Sequence, residues 1–162
     1  VRRHPLVDAE GGFVPGASIK IKSDTTGTEL TAVSGANGGF HGLSHHAERP
    51  ETIQEYSKMN RYHIACTAYF ANKLMSIREG DGTILDHTLI LHGTNMGNSN
   101  QHLHYDVPHV LLGGASGKLK GGRHLGYPSK TVSTGNLLLS ILDMFDIHQE
   151  SIGDSTGRLE KL

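Results

Sequence analysis

The hydrophobic period of this chain changes once, and that change limits what it can fold into. Before residue 40 apolar residues recur at every second position, the period of a strand. After residue 50 they recur every third or fourth position, the period of a helix. Residues 17–22 (ASIKIK) alternate apolar and basic, and residues 28–34 (TELTAVS) alternate again and are rich in β-branched side chains. Between them residues 23–27 (SDTTG) carry turn chemistry, and residues 35–39 (GANGG) break the pattern. This predicts a β-hairpin, which two strands alone hold only marginally in water.

Beyond the break, residues 41–46 (HGLSHH) read as a polar loop. Pro50 suits a first helical position and Glu51 a first turn. One long helix is expected from Pro50 to about Arg78, with Ile53, Tyr56, Met59 or Asn60, His63 or Ile64, Thr67 or Ala68, Ala71, and Leu74 or Met75 on its inner stripe. Residues 79–83 (EGDGT) end it. Residues 88–92 (TLILH) read as a buried strand, 93–106 as a polar loop, and 107–113 (VPHVLLG) as a second strand with Pro108 near its start. A Gly-rich loop covers 115–134. Thr134 is placed to cap a last helix over 135–145, and the tail 153–162 is polar. Helix, strand, loop, strand, loop, helix is the order of an α/β fold, with loops emerging at strand ends. Two strands make only part of such a sheet.

Composition removes several function classes. A net charge of −1 gives no basic stripe and no counterion-release drive toward nucleic acid. The longest apolar runs, at 137–139 and 89–91, fall far short of a membrane span. Val1–Arg2–Arg3 is followed by no apolar segment, so no signal peptide is expected at this start, and because residue 1 is not Met the true N-terminus is expected upstream. Cys66 is the single cysteine, which excludes an intrachain disulfide.

The outlier is histidine, with 12 in the chain. His41, His45, His46, His87, His92, His102 and His104 concentrate the imidazole, the commonest transition-metal ligand, in a few segments. Residues 94–106 (TNMGNSNQHLHYD) are the strongest candidate. If this segment is extended, His102 and His104 point to one side and Asp106 can join them on one cation. Set against this is a solvated loop with incidental histidines. In residues 41–46, adjacent His45 and His46 point apart, so one of them faces any given site. Ser44 is there a conceivable nucleophile, or more simply part of a capping loop for the long helix. In residues 113–124 (GGASGKLKGGRH), successive backbone N–H groups with Lys118, Lys120 and Arg123 can cradle an anion, although the spacing is not that of a Walker loop; a flexible connection is the plain alternative.

Two resemblances go further. Residues 8–40, with "VPGA" at 14–17, "TG" at 26–27 and Thr31 leading to Gly39–Phe40, resemble the start of a carboxypeptidase-regulatory-like domain. That is a small transthyretin-type β-sandwich, often an accessory module of exported bacterial proteins, and about half of it is present. Residues 41–162 carry in order "HGLSHH", "NRYH", "GDGTILDHTLIL", "MGNSNQH", "VPHVLLGG", "LKGGRHLGYP", "NLLLSILD" and "GDSTG". They resemble the C-terminal part of the bacterial domain-of-unknown-function family 1552, which is similar in pattern to alkaline-phosphatase-like proteins.

The second resemblance implies a partial alkaline-phosphatase-like α/β sheet with flanking helices over 41–162, preceded by a β-hairpin remnant over 1–40. It implies a divalent metal (Zn, Mn or Ca) held by His102 and His104, with Asn95 as a further ligand candidate; the motifs themselves add Asp106 and one of His45 and His46. The sulfatase-like "DHG" is "TNMG" here, without the charged ligand, and the half that carries the nucleophile in that superfamily is not represented. A truncated or fused reading frame is the simplest account.

The first functional expectation is therefore a fragment of a metal-dependent hydrolase-like protein for phosphate or sulfate esters, inactive alone, with a small anionic ester as its ligand. Another chain, or the missing N-terminal half, is expected to complete the sheet. The second is a non-catalytic binding or structural module of an exported bacterial protein, with a periplasmic or exported location implied by the resemblance.

Overall fold

The structure, a computed structural model, describes residues 18–22, 29–33 and 40–162. The chain forms two compact units, Val1–Asn60 and Arg61–Leu162. It is of mixed α/β class, with helices and small antiparallel sheets.

In the first unit, β1 (Ser18–Lys22) pairs antiparallel with β2 (Glu29–Val33), Ser18 opposite Val33 and Lys22 opposite Glu29. The period-two reading predicted this hairpin. The turns expected at 23–27 and 35–39, and the rest of the regulatory-like motif, lie outside the described residues. Residues 41–46 are not simply a loop: α1 (Phe40–Ser44) forms there. The Phe40 ring packs on Tyr56 at 5.5 Å between centroids, and the Ser44 hydroxyl donates to the His41 carbonyl at 2.7 Å. A local contact and a side-chain bond back to the preceding turn support a helix too short to stand alone.

The long helix, α2 (Pro50–Met75), begins at Pro50 as expected and ends three residues before Arg78. Its half-buried positions are Thr52, Tyr56, Met59, Asn60, His63, Thr67, Phe70 and Ala71, with Leu74 fully buried. Where the periodicity left pairs open, the inner member is His63, Thr67 and Leu74, while Ile64, Ala68 and Met75 face outward. Ile53, expected inside, is exposed. Ser76 stops the helix by donating its backbone N–H to Asn72 and Lys73 and its hydroxyl to Lys73. β3 (Arg78–Glu79) and β4 (Gly82–Thr83) then make a tight hairpin, turning at Gly80 with φ +59°.

A single-turn helix that periodicity does not reveal, α3 (Ile84–His87), follows immediately. Thr83 and Asp86 close a capping box on it: the Thr83 hydroxyl oxygen accepts from the Asp86 N–H, and the Asp86 carboxylate accepts from the Thr83 N–H at 2.7 Å.

β5 (Ile90–Gly93) and β6 (His109–Leu112) form an antiparallel pair, Ile90 opposite Leu112 and Gly93 opposite His109. Both start two residues later than expected. A return without a crossover helix allows only this antiparallel sense. Neither strand is buried throughout: β5 alternates in burial, and in β6 Val110 is exposed while the other three residues are half-buried. The register places Ile90, His92, Val110 and Leu112 on one face and Leu91, Gly93, His109 and Leu111 on the other. Each face carries one imidazole tied to a helix. His92 Nδ1 lies 2.8 Å from the Thr67 hydroxyl on α2, and His109 Nε2 lies 3.2 Å from the Thr134 hydroxyl on α4 (Thr134–Met144). The sheet is thus pinned to a different helix on each side.

Ser133, and not Thr134, caps α4: its hydroxyl oxygen accepts from the Asn136 N–H. The second unit buries Leu74, Ala115, Leu137 and Leu139, the last with 0% exposure. The polar tail docks on α4. Asn136 Oδ1 accepts from the Thr156 N–H at 2.9 Å, and Asn136 Nδ2 donates to the Thr156 hydroxyl at 3.2 Å. Ser140 Oγ accepts from the Leu159 N–H at 2.7 Å, and Arg158 pairs with Asp143. Gly135 permits this approach, because a Cβ there would stand 2.8 Å from the Ile152 carbonyl oxygen.

Candidate functional site

The second unit carries a cleft of about 1150 Å³. One wall is residues 104–111, which lead into and along β6. The other comes from 119–134, and the start of α4 and residues of the tail complete it. Its charged lining is Lys120, Arg123 and Lys130 against Asp106 and Asp154, and the imidazoles of His104, His109 and His124 and several Tyr, Thr and Ser hydroxyls also line it.

Local structure fixes several of these groups. Arg123 donates from Nε to the Lys120 carbonyl at 2.9 Å and from Nη1 to the Lys161 carbonyl at 2.8 Å, which orients its guanidinium. Lys130 Nζ sits 4.1 Å from the centre of the Tyr105 ring, a cation–π contact. The Asp106 carboxylate accepts from Ser129 Oγ at 3.0 Å. The Asp154 carboxylate lies against Gly135, in the first turn of α4, where the helix dipole favours negative charge.

His109 is the most constrained of the group. Its Nδ1 is buried and has no hydrogen-bond partner among the described residues, and its Nε2 faces Thr134. An imidazolium needs partners for two N–H groups, and here one side has none. Burial accordingly pushes the His109 pKa below the ordinary histidine value. The ring lies beside a hydroxyl, the pairing used in nucleophilic catalysis, but without the third group that orients such a base. Sequence reasoning placed His109 only as part of a strand. The signal it missed is an imidazole opposite a glycine, Gly93, in the sheet register.

The ligand candidates separate. Residues 98–103 are not extended: Asn98 and Leu103 form an antiparallel bridge, the Leu103 N–H donates to the Asn98 carbonyl at 2.9 Å, and His102 adopts φ +52°. The alternation that put His102 and His104 on one side needs extended backbone, and the turn removes that premise. His104 Nδ1 lies 3.4 Å from the Asn95 carbonyl oxygen, so Asn95 meets it through its backbone. Asp106, at φ +56°, is engaged with Ser129. His46 is 9% exposed, accepts the Glu48 N–H at its Nδ1 at 3.2 Å and packs on Tyr56, whereas His45 is exposed and stands against His41. Among the described residues no three or more His, Cys, Asp or Glu side chains gather where they can hold one metal ion.

Ser44 spends its hydroxyl proton on the His41 carbonyl. The expected N–H cradle at 113–124 is also different. The N–H groups of Gly114, Ala115, Gly117, Lys118 and Leu119 all donate to backbone carbonyls, closing the 3₁₀ turn Ala115–Gly117 and its neighbours. Lys118 pairs with Asp146 at 2.8 Å. From that segment Lys120, Arg123 and His124 reach the cleft.

No family model, curated protein or solved structure matches the chain. Among the described residues no helix is long and apolar enough to cross a membrane.

Proposed function

We propose that the second unit is the anion-holding part of a hydrolase-like α/β protein for phosphate or sulfate esters, and that this chain alone binds such an ester without turning it over. The observation that carries the reading is the lining of the cleft. Lys120, Arg123 and Lys130 bring three permanent positive charges against two carboxylates, Asp106, which accepts from Ser129, and Asp154, which lies at the start of α4. A guanidinium already oriented by two carbonyls loses little freedom on meeting an oxyanion. Leu125 and Tyr127 offer apolar surface to the body of an ester. The resemblance of residues 41–162 to alkaline-phosphatase-like proteins points the same way. His109 and Thr134 supply a base and a hydroxyl but no orienting carboxylate, which favours binding over chemistry. No step of this reading runs through a metal.

Calorimetric titration with phenyl phosphate and phenyl sulfate at low salt tests it. Binding should weaken as salt rises, fall several-fold, on the order of 1 kcal/mol, in Lys120→Ala, and be absent for phenol. No binding of either ester sinks the proposal. Sustained hydrolysis of the nitrophenyl esters would remove its second clause.

A further inference from the structure

The three imidazoles of residues 41–46 are put to different uses. His46 turns inward, with the Glu48 N–H on its Nδ1 and its ring 5.9 Å from that of Tyr56. His41 lies in α1 and His45 one residue beyond its end, and both are exposed. Residues four apart on a helical turn share a face. Here the two rings stand 4.8 Å apart, centre to centre, with planes at 79°.

We propose that His41 and His45 form a two-imidazole chelate for a divalent transition-metal ion of the copper, nickel or zinc group, with water completing its coordination. The separation is the argument. With metal–nitrogen bonds of about 2.0–2.1 Å, two imidazoles on one cation have ring centres roughly 4.5–5 Å apart. The pair already stands at that distance, and a shared cation needs one nitrogen of each ring turned toward it. His46, fixed by Glu48 and Tyr56, does not join them. The site therefore has two protein ligands and open positions, which makes it exchangeable and unlike a closed structural zinc site. Neutral nitrogen ligands select the later first-row ions and leave calcium and magnesium unbound. The site lies in the first unit and stands apart from the ester reading.

The test titrates the full chain with zinc chloride and follows the imidazole Cε1–H resonances by NMR. The His41 and His45 resonances should move together with one midpoint, and that of His46 should stay in place. Loss of one chelate arm removes the effective concentration of the second, so His41→Ala should weaken the response of His45 by about tenfold or more, and His45→Ala that of His41. Both side chains are exposed, and far-UV circular dichroism should superimpose on the parent; should His41→Ala lose helix, His41→Gln makes the same measurement without an imidazole. Separate midpoints, an unchanged His45 response in the His41 variants, or no movement up to millimolar zinc overturns the proposal.

Discussion

Asn136→Ala removes the amide that joins the tail to α4. Asn136 is 6% exposed and stands in the first turn of α4. Its Oδ1 accepts from the Ser133 hydroxyl at 3.0 Å and from the Thr156 N–H at 2.9 Å, and its Nδ2 donates to the Thr156 hydroxyl at 3.2 Å. The backbone donor at Thr156 identifies which end of the amide is oxygen. Each such bond contributes about 1 kcal/mol net, and a donor left unpaired costs somewhat more. Ser133 keeps a second role as acceptor for the Asn136 N–H, so its loss is partial. Truncation should therefore cost about 2–3 kcal/mol. For a unit of this size that lowers Tm by roughly 10–20 °C. Asn136→Asp keeps both acceptor contacts and puts negative charge in the first turn of a helix, so it should retain more than half of that stability. Urea unfolding followed by circular dichroism measures both. An alanine variant within about 0.5 kcal/mol of the parent, or an aspartate variant equally damaged, refutes the view that the amide stitches the tail to α4.

Three further outcomes follow from the same structure. Gly93→Ala puts a Cβ inside the contact distance of His109 Nδ1 and 2.9 Å from the Pro108 carbonyl oxygen, and should cost about 1–3 kcal/mol in chemical denaturation, an effect that His109→Ala should partly suppress. Leu139→Ala, at the most deeply buried large side chain, should cost about 2–4 kcal/mol in the same assay. Two groups shape the pH profile of stability. His109, with its folded pKa below its unfolded one, favours folding above the ordinary histidine range and loses that contribution as pH falls through 6.5 toward its depressed value. Asp143, held at about 2 by hydrogen bonds from Arg158 and then His148, contributes above 3.8 and loses its contribution as pH falls from there toward 2. Melting curves across pH should show both limbs, with His109→Ala removing the upper and Asp143→Asn the lower. A profile unchanged by either substitution contradicts the assignment.

Much of the local structure was legible because it is periodic. The alternation of 17–22 and 28–34 marks the hairpin, and Pro50 marks the start of α2. The apolar run Leu137, Leu138, Ile141 and Leu142 marks α4. Less legible was everything set by single side-chain bonds. Thr83 and Asp86 make a helix of one turn, and Ser133 takes the cap from its neighbour Thr134. Asn136 and Ser140 convert a polar tail into a docked one. At the candidate site Lys120 and Arg123 line the cleft, while the N–H groups of Gly114, Ala115 and Gly117–Leu119 in the same segment donate to backbone carbonyls. The turn over 98–103, with its positive φ at His102, takes that segment out of the extended backbone expected there, and no period in the sequence signals it. His109 stayed hidden because its environment comes from Gly93 and Thr134, distant in sequence.

The sheet of β5 and β6 has one further consequence. Among the described residues it contains these two strands alone, so each has a row of backbone donors and acceptors with no neighbouring strand. Leu91 and Val110 leave part of both faces open as well. Such an edge is a template: a strand offered by another polypeptide gains main-chain bonds at once, and a second copy of the same segment competes for the place.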